Sequence, residues 1–121
     1  MSAFSTHALD AVAFQLIAAL EKYDQDTARM VGGWPDLELY RSVSEQAEKI
    51  RMYSSALTDA RVQWVELLIA HAELVHVLWR AEYGAPDSPR GDLETVRQRH
   101  ADCIAALRNR CMRIIRTRPQ S

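Results

Sequence analysis

The 48 residues from Asp36 to Tyr83 contain neither glycine nor proline, and this uninterrupted stretch narrows what the chain can become. Intrinsic propensity permits it to run as one helix about 72 Å long. The series Val43, Ala47, Ile50, Ser54, Leu57, Arg61, Trp64, Leu68, His71, Val75 and Leu78 keeps a heptad-like spacing along it, which agrees with continuity. Against continuity stand the length, rare in a small domain, and the polar cluster Ser54, Ser55, Thr58 and Asp59 at its middle. Thr58 suits the cap of a new helix, Asp59 suits its positive end, and Leu57 can staple to Val62. A break near 55–58 is therefore favoured over one helix.

The flanking segments read more simply. Ser5 or Thr6 can cap a first helix, and Gly32-Gly33 offers a left-handed stop. Between them Leu9, Val12, Ala13, Leu16, Ile17, Leu20 and Tyr23 recur at steps of three and four, the period of one apolar helical face. Pro35 fits the first position of the next helix. Residues 84–91 hold two prolines and two glycines and read as a loop. A last helix carries Leu93, Val96, His100, Cys103, Leu107, Cys111 and Ile114 on one face, and Pro119 ends it, leaving 117–121 as a flexible tail. The expected fold is all-α, an antiparallel up-down-up-down four-helix bundle occupying 1–121 as one domain. The alternative is three helices with 36–83 as a single long central one.

Composition supports one core. With 121 residues, 48% hydrophobic and 26% charged, the chain can build a packed interior and a solvated skin, unlike disordered sequences. No apolar run approaches the roughly 20 residues that cross a bilayer. The opening MSAFSTHALD has no basic start or apolar stretch of a secretory leader. A cytoplasmic location is expected, with no membrane partner, and there Cys103 and Cys111 stay reduced. Eight residues apart on one helix, they stand about 12 Å from each other, too far to bridge.

The net charge of −1 conceals an asymmetry. Residues 1–89 hold 7 Lys/Arg against 13 Asp/Glu, whereas 90–121 hold 8 arginines against Asp92, Glu94 and Asp102. A basic helix lying against acidic neighbours of its own chain is the favoured explanation, ahead of an acidic partner or nucleic acid.

The stretch Ala60 to Trp79 carries the most information. Asp59, Gln63, Glu66, Glu73 and Arg80 form a narrow polar stripe, while Val62, Trp64, Val65, Leu67, Leu68, Ile69, Leu74, Val75, Val77, Leu78 and Trp79 cover most of the rest. A helix apolar around most of its circumference must be covered on most sides, and three neighbours in a small chain cover only part of it. Trp64, Leu68, Val75 and Trp79 are the expected contacts for a second copy or a helical protein partner, since aromatic anchors typify such interfaces.

Signals for catalysis or cofactors are weak. Glu73 and His76 have the Glu-x-x-His spacing of di-iron bundles, but no second copy occurs: Arg97 stands where His100 would need a glutamate, and the first helix offers Glu21 alone near its middle. Glu73 and His76 thus read as surface residues and only weakly as metal ligands. His71 and His100 lie in apolar seams, where a hydrogen-bonded core histidine is the commoner finding than a ligand. His100 lies three residues from Cys103, but both cysteines fall on the apolar face, where thiols serve as small hydrophobes. The sequence carries no phosphate loop and no zinc-type Cys/His spacing. Arg97, Arg99, Arg108, Arg110, Arg113 and Arg116 can track a phosphate backbone as readily as protein carboxylates, yet the pI near 6.4 disfavours nucleic acid.

These features point to a non-enzymatic, cofactor-free interaction or adaptor protein that forms a homodimer or docks a helical partner. A nucleic-acid-associated regulator using the C-terminal arginines is the first alternative. A metal or small-ligand bundle around His71, Glu73, His76 and His100 is the second.

Overall fold

The computed structural model describes the backbone of residues 2–83 and 90–116 and the side chains of 8–82 and 92–116. Four α-helices, α1 (Ser2–Gly32), α2 (Leu37–Ser55), α3 (Arg61–Tyr83) and α4 (Arg90–Arg116), make up nearly all of it. No helix among these residues is long and apolar enough to cross a membrane. The expected loop at 84–91 and tail at 117–121 fall largely outside the described residues, except that Arg90 and Gly91 already belong to α4.

Contacts between helices give the topology. Asp26 meets Gln46, and Trp34 meets Tyr40. Glu73 meets Arg99, while the carbonyl of Asp59 meets Arg110. In each pair one number rises as the other falls, so α1 runs antiparallel to α2 and α3 antiparallel to α4. Tyr23 meets His71 and Trp34 meets Trp79, both rising together, so α1 and α3 run parallel. The helices form a ring in which α1 packs on α2 and α4, α3 packs on α4, and α2 touches α3 more lightly. This is the up-down-up-down bundle.

The single helix over 36–83 does not form. The chain breaks at Ala56–Leu57 and makes one 3-10 turn, Thr58–Ala60, before α3 starts. Ser55 Oγ donates to Met52 O at 2.7 Å, and Leu57 N–H donates back to Ser54 O at 2.9 Å, so the end of α2 satisfies its own carbonyls. Serine hydroxyls compete for backbone groups in this way and disfavour helix interiors. Leu57 and Ala60 bury into the core while Val62 is 64% exposed, so the expected Leu57–Val62 staple is absent. Thr58 opens the 3-10 turn instead of capping it; Leu57 holds the cap position without a side-chain bond.

Two other boundaries differ from expectation. Helix α1 begins at Ser2, ahead of both Ser5 and Thr6, and continues to Gly32. Neither Gly32 nor Gly33 adopts a left-handed conformation, and Gly33 N–H still bonds Arg29 O at 2.9 Å. The ladder stops at Trp34, the residue before Pro35, where the proline ring disfavours the helical conformation. Pro35 also stands before the next helix rather than inside it. Asp36 is the cap of α2, its side chain accepting from Leu39 N–H at 3.1 Å.

The core follows the 3–4 spacing seen in sequence. Ala13, Leu16, Leu20, Tyr23 and Met30 from α1 meet Val43 and Ile50 from α2. Leu67, Leu74 and Leu78 from α3 and Ile104, Leu107, Cys111 and Ile114 from α4 complete it. Each large apolar side chain enclosed this way contributes about 1.5–3 kcal/mol. At one end Trp34, Tyr40 and Trp79 close the interior with edge-to-face contacts at 4.9–6.1 Å. Near the same end Asp26 accepts from Lys22 at 2.9 Å and from Gln46 at 2.7 Å, which holds its carboxyl below the usual range.

Candidate functional site

Helix α3 turns Leu67, Ala70, Leu74 and Leu78 inward. On its opposite side Val62, Val65, Leu68 and Ile69 are exposed by 64%, 40%, 43% and 56%. Ala72 and His76, also exposed, continue the line, so 62, 65, 69, 72 and 76 follow steps of three and four. That spacing makes one outward seam on a helix. Arg61 and Glu66, both exposed, flank it.

The four expected contact residues distribute differently. Leu68 lies at the edge of the outward seam. Trp64 is half-buried against the core, and Val75 is half-buried. Trp79 is half-buried in the aromatic cluster of its own chain, against Trp34 and Tyr40. Preference for aromatic anchors selected side chains that the bundle uses internally, while Val62, Val65 and Ile69, apolar but small, make up most of the outward seam.

The arginines of α4 are largely engaged within the chain. Arg99 Nη1 donates to both carboxylate oxygens of Glu73 at 3.1 Å, and Arg108 pairs with Glu21 at 3.7 Å. Arg110 Nε donates to Asp59 O at 2.8 Å, and Arg97 pairs with Glu94 one turn away at 3.3 Å. Arg116 is exposed, and Arg113, also exposed, has a partner of its own. The basic helix lies against acidic residues of α1 and α3, as the charge asymmetry suggested.

Glu73 and His76 face a shallow surface groove between α3 and α4 that Val77, Arg80, Thr95, Val96 and Arg99 also line. The Glu73 carboxylate is already paired with Arg99. Among the described residues no group of three or more His, Cys, Asp or Glu is placed to hold a metal ion. Both cysteines are free thiols. Burial pushes Cys111 up to about 11, and burial, then Glu66 and Asp102, raise Cys103. Neither is a ready thiolate nucleophile.

The polar feature of the interior joins three helices. Tyr23 Oη of α1 lies 2.6 Å from His71 Nδ1 of α3 and 2.7 Å from His100 Nε2 of α4. His100 is buried and His71 half-buried. Burial raises the Tyr23 phenol, holding it neutral. Burial likewise lowers His71 and, with repulsion from His71, brings His100 down to about 4. The contacts are hydrogen-bond lengths, shorter than the separation of about 3 Å between two ligands on one ion with metal–ligand bonds near 2 Å. In the sequence His71 and His100 stand in separate apolar seams and are grouped only in the metal or small-ligand alternative, with Glu73 and His76, while Tyr23 reads as part of an apolar face. The available signal was that Tyr23 carries a polar tip among aliphatic neighbours, and a buried hydroxyl needs a partner.

Compared with family models, curated proteins and solved structures, the chain matches none.

Proposed function

We propose that this chain is a non-enzymatic interaction protein that pairs with a second copy of itself along the outward seam of α3. The observation that supports this reading is the run of exposed aliphatics Val62, Val65, Leu68 and Ile69 on one face of a helix whose opposite face is already buried. Enclosing one such side chain is worth about 1.5–3 kcal/mol, and an exposed contiguous apolar strip is characteristic of association surfaces. The 3–4 spacing is self-complementary, so two α3 seams can interdigitate about a two-fold axis. Arg61 and Glu66 beside the seam have opposite signs, which suits cross-pairing at the rim.

The reading that assigns the C-terminal arginines to nucleic acid draws less support, because Arg97, Arg99, Arg108 and Arg110 have acceptors within the chain. The test is the substitution Ile69→Glu, which places a charge at the centre of the seam without touching the core. Light scattering is expected to report a dimer for the parent chain and a folded monomer for the variant. A parent chain that is monomeric at every accessible concentration contradicts the proposal.

A further inference from the structure

We propose that Tyr23, His71 and His100 form an acid-sensing latch, which holds α1 against α3 and α4 while both imidazoles are neutral and loosens when one of them takes a proton. The argument starts from the hydrogens available. Two hydrogen bonds meet at the phenol oxygen, at 2.6 and 2.7 Å, and the phenol has one hydrogen to give. One imidazole therefore accepts from Tyr23 while the other donates its N–H to the phenol oxygen. In the neutral trio both bonds are made, one donated by the phenol and one by an imidazole N–H. A further proton turns the accepting nitrogen into a donor, so two N–H groups then face one phenol oxygen. The phenol hydrogen loses its imidazole acceptor and must turn toward Thr27, the neighbouring side chain one turn along α1.

The influences acting on the two imidazoles disfavour their charged forms. On α1 the neighbours of the phenol are Thr27 and, outside the core, Asp24, whose charge acts on Tyr23. From α2, Ala47 and Ile50 line the narrow cleft beside Tyr23 and His71, and from α3 Trp64, Leu67 and Leu68 line it. On α3 and α4 stand the two histidines, whose rings are 6.4 Å apart and so repel when charged, with the half-buried Cys103 thiol one turn along α4 from His100. Burial is the cause acting on His71, and burial followed by His71 acts on His100. Both rings are thus harder to protonate closed than open, which makes proton uptake favour the open form. Above the ordinary histidine value near 6.5 the closed form keeps its full advantage, and it loses that advantage as pH falls toward about 4. At pH 5 His100 alone shifts the open-to-closed ratio by roughly 30-fold.

The latch is independent of the α3 seam and is tested by its own measurement. Denaturant midpoints of the full chain are followed from about pH 7.5 to about pH 5, a window above the ordinary carboxylate range, for the parent and His100→Gln. The parent is expected to lose stability as pH falls, and His100→Gln to lose at least tenfold less in its folding constant. Histidine ring NMR of the parent provides a second reading should His100→Gln not fold: the His71 and His100 rings are expected to titrate below the ordinary histidine value near 6.5, with loss of amide protection in α1 over the same range. A parent equally stable at both ends of the window overturns the latch. So does a His100→Gln slope equal to the parent's, or a His100 ring that titrates near 6.5 with the bundle intact.

Discussion

The indole of Trp34 meets that of Trp79 edge to face, with ring centres 4.9 Å apart and planes at 86°. Trp34 belongs to the short connection between α1 and α2, and Trp79 to the last turns of α3, so the contact ties that connection to the end of the third helix. Tyr40 joins both rings from α2 at 5.9–6.1 Å. The pair also accounts for why Trp79 does not stand in the outward seam.

Replacing Trp79 by alanine therefore acts on stability. The full cost of deleting a buried large aromatic is about 3–5 kcal/mol, and Trp79 is half-buried, so about 2–3 kcal/mol is expected from denaturant unfolding. Association through α3 is expected to survive in the folded fraction. A stable Trp79→Ala variant that no longer dimerises would move the interface to this end of the bundle.

Tyr23→Phe keeps the ring and removes the oxygen on which both histidines converge. The expected loss is about 1–3 kcal/mol, the cost of leaving buried polar groups without a partner. Helix content by circular dichroism should stay unchanged, since the aliphatic neighbours on α1 are untouched. A loss below a few tenths of a kcal/mol would mean that the phenol contributes nothing beyond its ring.

The two thiols should differ in reactivity. Cys111 is fully enclosed and its thiol is held near 11, so at pH 8 only about one molecule in a thousand carries its thiolate even before access is considered. Cys103, half-buried, should label first with a thiol reagent, and Cys111 only at the rate of unfolding. Because both thiols are raised, labelling should quicken as pH rises. Equal and rapid labelling of both at neutral pH would contradict the burial described here.

Fold class was legible because its signal is repeated: 3–4 spacing recurs on all four segments, and burial at Leu16, Leu20, Leu74, Leu107 and Ile114 follows it. The break after Ser55 was readable from the polar cluster Ser54, Ser55, Thr58 and Asp59, although the Thr58 cap and the Leu57–Val62 staple expected there do not form. Helix ends were less so. The stop after α1 goes with Pro35 and not with the conformation of Gly32-Gly33, because the residue before a proline is steered out of the helical region without any left-handed residue. The polar trio was half legible. Seam positions for His71 and His100 follow from periodicity, but their meeting with Tyr23 depends on the vertical alignment of three helices, which no local spacing encodes. For α3, circumference-wide hydrophobicity showed that some apolar surface is left over, but not which. That depends on which side α1, α2 and α4 cover, and they cover the tryptophans rather than Val62, Val65 and Ile69.

The central claim, that the outward seam of α3 pairs two copies of this chain, is tested most directly by sedimentation equilibrium over a wide range of protein concentration, near neutral pH where the bundle is closed. The account predicts a reversible monomer–dimer equilibrium whose dissociation constant rises at least tenfold in the double variant Val65→Glu, Ile69→Glu, with unchanged helix content. A single ideal species at the monomer mass throughout, or a dimer indifferent to both charges, would contradict it.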